Sequence, residues 1–391
     1  MPASGRVREP VRGDIRKSGG VTGRPVPVAY RLPVFPWDSL TEHARLARGH
    51  PDGIVDLSVG TPVDPTPAVV QDALRAAANA PGYPLTYGTP ALHEAVADWL
   101  RRCHGVPDLD PQGVMPTIGS KELVAWLPTL LGLGPGDQVA VPELAYPTYD
   151  IGARLAGAEP VVAADPTTLD PSLVRLIWLN SPSNPTGAVL DIAELRRIVR
   201  WARRHQIVVA SDECYIELPW EAEPVTVLHP GVSGGSVEGL LAVHSLSKRS
   251  NLAGYRAAFI AGDVALVEEL LAVRKHAGMM VPAPVQAALI AALGDDAHVV
   301  EQRARYGARR ARLRPALQAA GWQVTHSEAG LYLWASHPSY DGWGSVAVLA
   351  QLGILVAPGV FYGEAGRDHV RVALTVTDER VEAAVERLAL I

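Results

Sequence analysis

The sequence predicts an α/β fold: a large domain built on a mostly parallel sheet flanked by helices, and a smaller α+β domain. Three observations predict it. The chain has 391 residues, too many for one average domain, with an ordinary globular balance of 48% hydrophobic and 19% charged residues. From about Val114, short apolar runs alternate with helix-like stretches, as strands joined by crossover helices do. After about Pro284 the pattern changes to a long helical region followed by strand-like runs.

Taken in order, "GVMPTIGS" reads as a strand and turn, and "KELVAWLPTLLGL" as a helix. "DQVAVPE" is a strand. "VRLIWLN" is a near-continuous apolar run, as expected of a strand buried on both faces. In "DIAELRRIVRWARRH", Ile192, Leu195, Ile198, Val199 and Ala202 recur at helical spacing, with Arg196, Arg197, Arg200 and Arg203 outside. "QIVVASDE", "GLLAVHS" and "RAAFIAGD" are further strands. "VQAALIAALGDDAHVVEQRARYGARRARLRPALQAAG" is read as one helical region ending at Gly321. Then follow a strand-like "WQVTHSEAGLYLWAS", a short helix near "GSVAVLAQLG", "ILVAPG", "HVRVALT" and a final helix "DERVEAAVERLAL". The expected organisation is a disordered N-terminal arm over 1–27, a small-domain segment over 28–57, a large domain over 58–290 and the rest of the small domain over 291–391.

Composition excludes several functions. A net charge of −6 does not suit a basic nucleic-acid binder. No apolar run approaches the roughly 18 residues of a membrane span. Cys103 and Cys214 are far apart and in no metal-ligand spacing, so neither a disulfide framework nor a metal site is expected, and a reducing, cytoplasmic setting is. The first 27 residues, rich in Gly, Pro and Arg, lack the apolar centre of a secretory signal.

Functional residues of an open α/β sheet lie in loops at the carboxyl ends of its strands. In "TIGSKE", the N–H groups of Gly119, Ser120 and Lys121 suit a phosphate at a helix N-terminus; Ser120 is equally a plain N-cap with Glu122 nearby. "NSPSNPTG" is a polar loop directly after a very apolar strand, and its composition also fits a simple turn. "VVASDECY" places Asp212 at a buried strand end, where a carboxylate needs a partner or a function. "HSLSKRSNLAGYR" gathers Ser245, Ser247, Lys248 and Arg256 into one run, either a solvated loop or an amine beside a phosphate cradle.

Together "SPSNPTG", "SDECY", "SLSKRSNLAGYR" and "HVRVAL" resemble, in order and separation, the fold-type-I aminotransferases of class I/II that use pyridoxal phosphate, over about residues 30–391. The resemblance implies that Lys248 bonds the cofactor aldehyde and later moves the substrate α-proton, and that Asp212 faces the pyridine nitrogen. It implies that Asn184 and Tyr215 bond the ring's phenolic oxygen and that Tyr146 stacks on the ring. Ser120, Lys121, Ser245, Ser247 and Arg256 then cradle the phosphate, with Tyr83 reaching the cofactor of a neighbouring subunit in a homodimer. Arg371 grips the substrate α-carboxylate, with Gly60 and Asn184 beside it. Two departures stand out: Ala258 where glycine is common, and Arg249 directly after the lysine, expected to face solvent.

"RLPVFPWDSL", "GTPVDPTP", "PELAYPTY" and "AVRKHAGMMVPAPVQAALIAALGDDAHV" look like the actinobacterial succinyldiaminopimelate aminotransferases of lysine biosynthesis. That resemblance implies glutamate as donor and N-succinyl-2-amino-6-ketopimelate as acceptor. Lys121, Arg274, Lys275 and His276 are candidate contacts for the distal acidic groups, and Trp220 and Phe361 candidate pocket walls; ordinary surface charge and core packing remain open for each. The alternatives are a family member acting on aspartate, aromatic amino acids or unsuccinylated diaminopimelate, a lyase or oxidase using the same cofactor, and a cofactor-binding transcriptional regulator. The last would need a DNA-binding domain, for which the arm is too short.

Overall fold

The structure is a computed structural model and describes residues 28–391; the expected arm over 1–27 lies outside the described residues. A seven-stranded sheet carries the chain from Val114 to Gly262. Its spatial order is Val114–Ile118, Ala257–Gly262, Leu240–Ser245, Val208–Asp212, Val174–Asn180, Gln138–Val141 and Glu159–Val162. All strands run parallel except Ala257–Gly262, which is antiparallel to both neighbours. The mostly parallel sheet expected from the alternating pattern is therefore present. The strand Glu159–Val162 has no counterpart in the sequence reading. It is a half-exposed edge, where Pro160 removes no needed ladder bond.

Alternate side chains of Val174–Asn180 feed two different cores. Ile177 and Leu179 join the cluster under helices Pro90–His104, Ile192–Arg204 and Ala283–Leu293. Leu176 and Trp178 join the cluster under Ser120–Leu130, Thr148–Ala156 and Val264–Ala277. A strand with helices on both faces must be apolar at every position, which explains the continuous run in the sequence. In helix Ile192–Arg204 the buried stripe is Leu195, Ile198, Val199, Trp201 and Ala202; Ile192, expected on it, is exposed beside the Asp191 cap.

A third cluster joins Leu40, Ala44, Val55 and Leu57 to the C-terminal segments. There a four-stranded antiparallel sheet runs in the order Ala357–Pro358, His369–Ala373, Tyr332–Ser336, Gln323–Thr325, and Val55–Asp56 pairs in parallel with Ile354–Leu355. Two readings need correction. The single long helical region is two helices, Ala283–Leu293 and Ala297–Ala319. The Asp295 carboxylate accepts from the Ala297 N–H at the break, restarting the chain as a new helix. The 290 boundary thus falls inside the first helix, whose burial against the large sheet continues through Leu293. "WQVTHSEAGLYLWAS" is likewise two strands, parted where His326 and Ser327 take positive φ of 58° and 80°.

Candidate active site

The ends of two adjacent strands open the site, with Asn180 and Asp212 paired in register. The Asn180 side-chain amide donates to the Asp212 carbonyl at 2.9 Å, and its Oδ1 accepts the Asn184 N–H at 2.7 Å. One side chain therefore ties the "SNPTG" loop to the end of the aspartate strand. The Asp212 carboxylate is buried. It accepts the Tyr149 hydroxyl at 2.8 Å and the Cys214 N–H at 3.2 Å. Among the described residues no cation pairs with it. Burial pushes its pKa up, against the pull of those hydrogen bonds.

Lys248 stands on the short helix Leu246–Arg249, which begins where strand Leu240–Ser245 ends. The Ser245 hydroxyl caps that helix by accepting the Ser247 N–H at 3.2 Å, and it also donates to the Ser247 hydroxyl at 2.9 Å. The Lys248 ammonium donates to the Gly60 carbonyl. Burial pulls its pKa below the usual lysine value, aided by the Arg371 and Arg256 charges and opposed by Tyr332 and Cys214. Gly60 is glycine for contact reasons: a Cβ there would lie 2.3 Å from the Tyr332 hydroxyl.

Arg371 lies on strand His369–Ala373, opposite Trp334 and Ala357. It is 3% exposed, yet no carboxylate pairs with it among the described residues. It donates to the Ser58 carbonyl at 2.8 Å and to Asn184 Oδ1 at 3.0 Å, while its buried Nε has no protein partner among the described residues. The guanidinium carbon sits 3.9 Å from the Tyr332 ring centre and 4.8 Å from that of Tyr362. Tyr215 exchanges a hydrogen bond with Tyr332 at 3.1 Å. Burial raises the Tyr215 pKa. For Tyr332 burial acts in the same sense, but the Arg371 and Lys248 charges outweigh it and pull the phenol down.

Gly119 takes φ of 74° and ends the strand before helix Ser120–Leu130. A side chain there would strike the Arg256 guanidinium, so the arginine lies directly against the helix start. Arg256 is itself left-handed at φ 57° and donates to the Ala253 carbonyl at 2.7 Å. Gly119, not Ser120, occupies the cap position, and Ser120 is the first helical residue. Lys121 is exposed, 5.7 Å over the Phe35 ring. Tyr146 packs edge-on against Tyr149 at 5.9 Å, and burial pushes its phenol up to about 12.

Gly60, Lys248, Tyr332, Tyr215, Arg371, Asn184 and Asp212 therefore form one neighbourhood, with Arg256 and the Gly119–Ser120 turn beside it. Tyr83 is elsewhere in character: 95% exposed, so not a core tyrosine. Arg274 cannot serve as a distal substrate contact, because it is fully buried against Glu122 at 2.7 Å. Lys275 and His276 are exposed on the last turn of Val264–Ala277. Arg249 does not face solvent: it is buried, 2.8 Å from Glu217 and 5.4 Å over the Trp99 ring. Trp220 donates to the Gly330 carbonyl at 2.8 Å, and Phe361 packs on Trp37 and Trp343. Tyr149, Asn180, Tyr332 and Tyr362 were not singled out in the sequence. Only Tyr149 had a signal, as the second tyrosine of "YPTY" on the helix after Tyr146.

The arrangement offers an amine with a depressed pKa, an unpaired buried carboxylate, a helix N-terminus with an arginine, and an unpaired buried guanidinium. It suits a ligand with an electrophilic carbon at Lys248, a proton donor at Asp212, and anionic groups at the Gly119 helix start and at Arg371.

A family model described as aminotransferase class I and II matches residues 52–388. A probable aminotransferase of Mycobacterium tuberculosis is 60% identical over 390 residues, covering 99% of this chain and 92% of its own. The 4-dedimethylamino-4-oxo-anhydrotetracycline transaminase OxyQ of Streptomyces rimosus is 60% identical over 357 residues, covering 91% and 99%. Among solved structures, a probable N-succinyldiaminopimelate aminotransferase of Thermus thermophilus superposes with TM-score 0.82 at 30% identity, covering 91% of this chain and 100% of that one.

Proposed function

We propose that this chain, which belongs to the class I and II aminotransferases, moves an amino group between glutamate and N-succinyl-2-amino-6-ketopimelate in lysine biosynthesis. The family's cofactor is pyridoxal phosphate, and the residues present fit it. Among the described residues Asp212 is a buried carboxylate with no cation, Lys248 a partly buried amine with no carboxylate, and Gly119 brings the helix start against Arg256. The bound cofactor supplies an aldehyde and an electron-withdrawing ring. Lys248 and Asp212 would hold it at those two ends, and Ser120, Ser245, Ser247 and Arg256, with the Lys121 backbone, would hold its phosphate. Tyr215 and Asn184 would bond its phenolic oxygen, and Tyr146 would cover its face.

The observation that carries the reading is the unpaired Arg371 beside Lys248. Through Ser58 and Gly60 one loop touches both, so an α-carboxylate on the guanidinium sets the substrate α-carbon near the amine. Burial favours the neutral amine, whose lone pair at Nζ, once released from the cofactor, would accept the substrate α-proton and hold it for return. Asn184 Oδ1, already bonded to the guanidinium, fixes its plane. The tyrosine faces exclude water and strengthen each charge interaction inside. Tyr83, exposed here, is assigned to the partner's site in a homodimer; a cytoplasmic location belongs to the same reading and agrees with two free thiols.

The acceptor is supported by the likeness to the Thermus thermophilus structure and by the sequence resemblance. A second reading has specific support, because OxyQ, named for a tetracycline-type ketone, is as similar as the mycobacterial relative. A panel of keto acids and cyclic ketones with glutamate as donor, followed through both half-reactions, separates them. N-succinyl-2-amino-6-ketopimelate is expected to give the highest kcat/KM. If oxaloacetate or a polycyclic ketone does as well, the lysine-pathway assignment fails and transamination stands.

A further inference from the structure

The loop from Ser58 to Thr66 supplies the carbonyls that meet both Arg371 and Lys248, yet it has no regular structure of its own. Its first half is held by the Asp56 carboxylate, which accepts the Ser58 N–H and hydroxyl, and by Thr375, which donates to the Val59 carbonyl at 3.1 Å. Its second half carries one charge, Asp64. That carboxylate accepts from the two terminal Arg309 nitrogens, at 2.6 and 2.8 Å, and from the Gln302 amide at 2.7 Å. Arg305 stands 3.7 Å away, and Arg309 Nε reaches Asp378 at 2.7 Å. Both members of the central pair are nearly closed to solvent, so their geometry is fixed far more firmly than that of a surface pair.

The same helix face holds the lysine loop. Gln302 accepts the Asn251 amide at 2.8 Å, and that amide also donates to the Pro65 carbonyl at 3.1 Å. The Tyr306 hydroxyl lies 3.3 Å from the Lys248 carbonyl and 3.4 Å from Asn251 Oδ1. Gln302, Arg305, Tyr306 and Arg309 fall at helical spacing on Ala297–Ala319. The loop that touches Lys248 and Arg371, and the segment that carries Lys248, are thus referenced to one rigid stripe.

We propose that Asp64 and Arg309, with Gln302 and Tyr306, are positioning residues for transamination, fixing the distance between the Lys248 amine and the Arg371 guanidinium. This rests on the function proposed above. None of the four is among the groups assigned to cofactor or substrate; they act through the Ser58 and Gly60 carbonyls and the Lys248 main chain. A displacement of about 1 Å between reacting groups costs on the order of a hundredfold in rate, so a fixed reference matters here.

The test uses the full-length holoenzyme and compares wild type with Asp64→Asn, Asp64→Glu and Tyr306→Phe. Glutamate single-turnover rates are measured with glutarate dissociation constants and the pH midpoint of the cofactor's visible band. Asp64→Asn is expected to cut kcat/KM for glutamate at least tenfold, weaken glutarate and move the band midpoint, with cofactor retained and Asp64→Glu restoring part of each. Tyr306→Phe, which loses only a hydroxyl, is expected to shift the same midpoint and lower kcat about threefold, and it decides the question if Asp64→Asn does not fold. A lower melting temperature, with rate, glutarate affinity and midpoint as in wild type, overturns the positioning role. If the wild-type holoenzyme transaminates no donor, the function proposal has failed instead.

Discussion

Buried arginines divide this molecule into two kinds of region. At the seams between elements each has a fixed complement: Glu122 for Arg274, Glu217 for Arg249, Asp64 for Arg309. Arg387 has no carboxylate among the described residues but meets the Leu352 and Gly353 carbonyls just past helix Gly342–Gln351, where the helix dipole is negative. At the site Arg371 meets the Ser58 carbonyl and Asn184 Oδ1 but, among the described residues, no carboxylate and no helix end, and Lys248 and Asp212 also lack a partner of opposite charge among them. Burying a charge without such a partner is costly, and stable proteins avoid it unless a ligand supplies the complement. The contrast teaches how to tell a structural cation from a binding one: by what faces it, since burial alone is the same in both.

The sharpest attempt to break this contrast removes the amine. Lys248→Ala is expected to lose the cofactor's yellow absorbance and transamination together, by about a thousandfold or more in kcat. An undiminished absorbance band in that variant would show that another amine carries the bond. Arg274→Met tests the opposite region. It strands Glu122 in the interior and is expected to cost about 3–5 kcal/mol of unfolding free energy. Adding Glu122→Gln should recover part of that loss in denaturant titrations, while KM for glutamate stays at the wild-type value. Arg371→Ala comes next. Losing a charged, bidentate carboxylate contact is expected to raise KM by about a hundredfold with cofactor still bound. If instead the variant loses cofactor, the assignments of Arg371 and Arg256 are interchanged.

The same contrast explains what was legible in the sequence. Strands such as Val174–Asn180 and Leu240–Ser245 announce themselves because both faces are buried, and the polar runs after them mark the loops where chemistry collects. The edge Glu159–Val162 is half exposed and carries a proline, so neither rule applies to it. Partners across the fold leave no local trace. Arg249 and Arg274 looked like surface charges because Glu217 and Glu122 are distant in sequence. Tyr332 and Tyr362 are ordinary aromatics in apolar runs, and only folding lays them against Arg371. Asn180 closed a strand pattern, with nothing to distinguish it from a turn residue.

One buried pair tests the contrast at its weakest point. Glu213 and His244, the neighbours of Asp212 and Ser245, lie 3.4 Å apart and almost wholly buried. Burial raises the Glu213 carboxyl to about 7, and burial with His104 and Arg249 nearby holds His244 well below its usual value, so the pair is neutral rather than ionic. The signs follow separately. Glu213, raised when folded, contributes stability that is present below the unfolded value of 4.5 and is lost as pH rises through about 7. His244, depressed when folded, contributes stability present above 6.5 that is lost as pH falls below it. Between about pH 5 and pH 7 the Glu213 contribution falls by at most about 2 kcal/mol as pH rises, while the His244 contribution rises over the same window, so the two largely cancel in the wild type. In Glu213→Gln the His244 contribution stands alone, so melting curves taken across that range should show stability rising with pH more steeply than in the wild type. An unchanged slope would mean that Glu213 is ionised in the fold, pairing with a charged His244 like the carboxylates at the arginine seams.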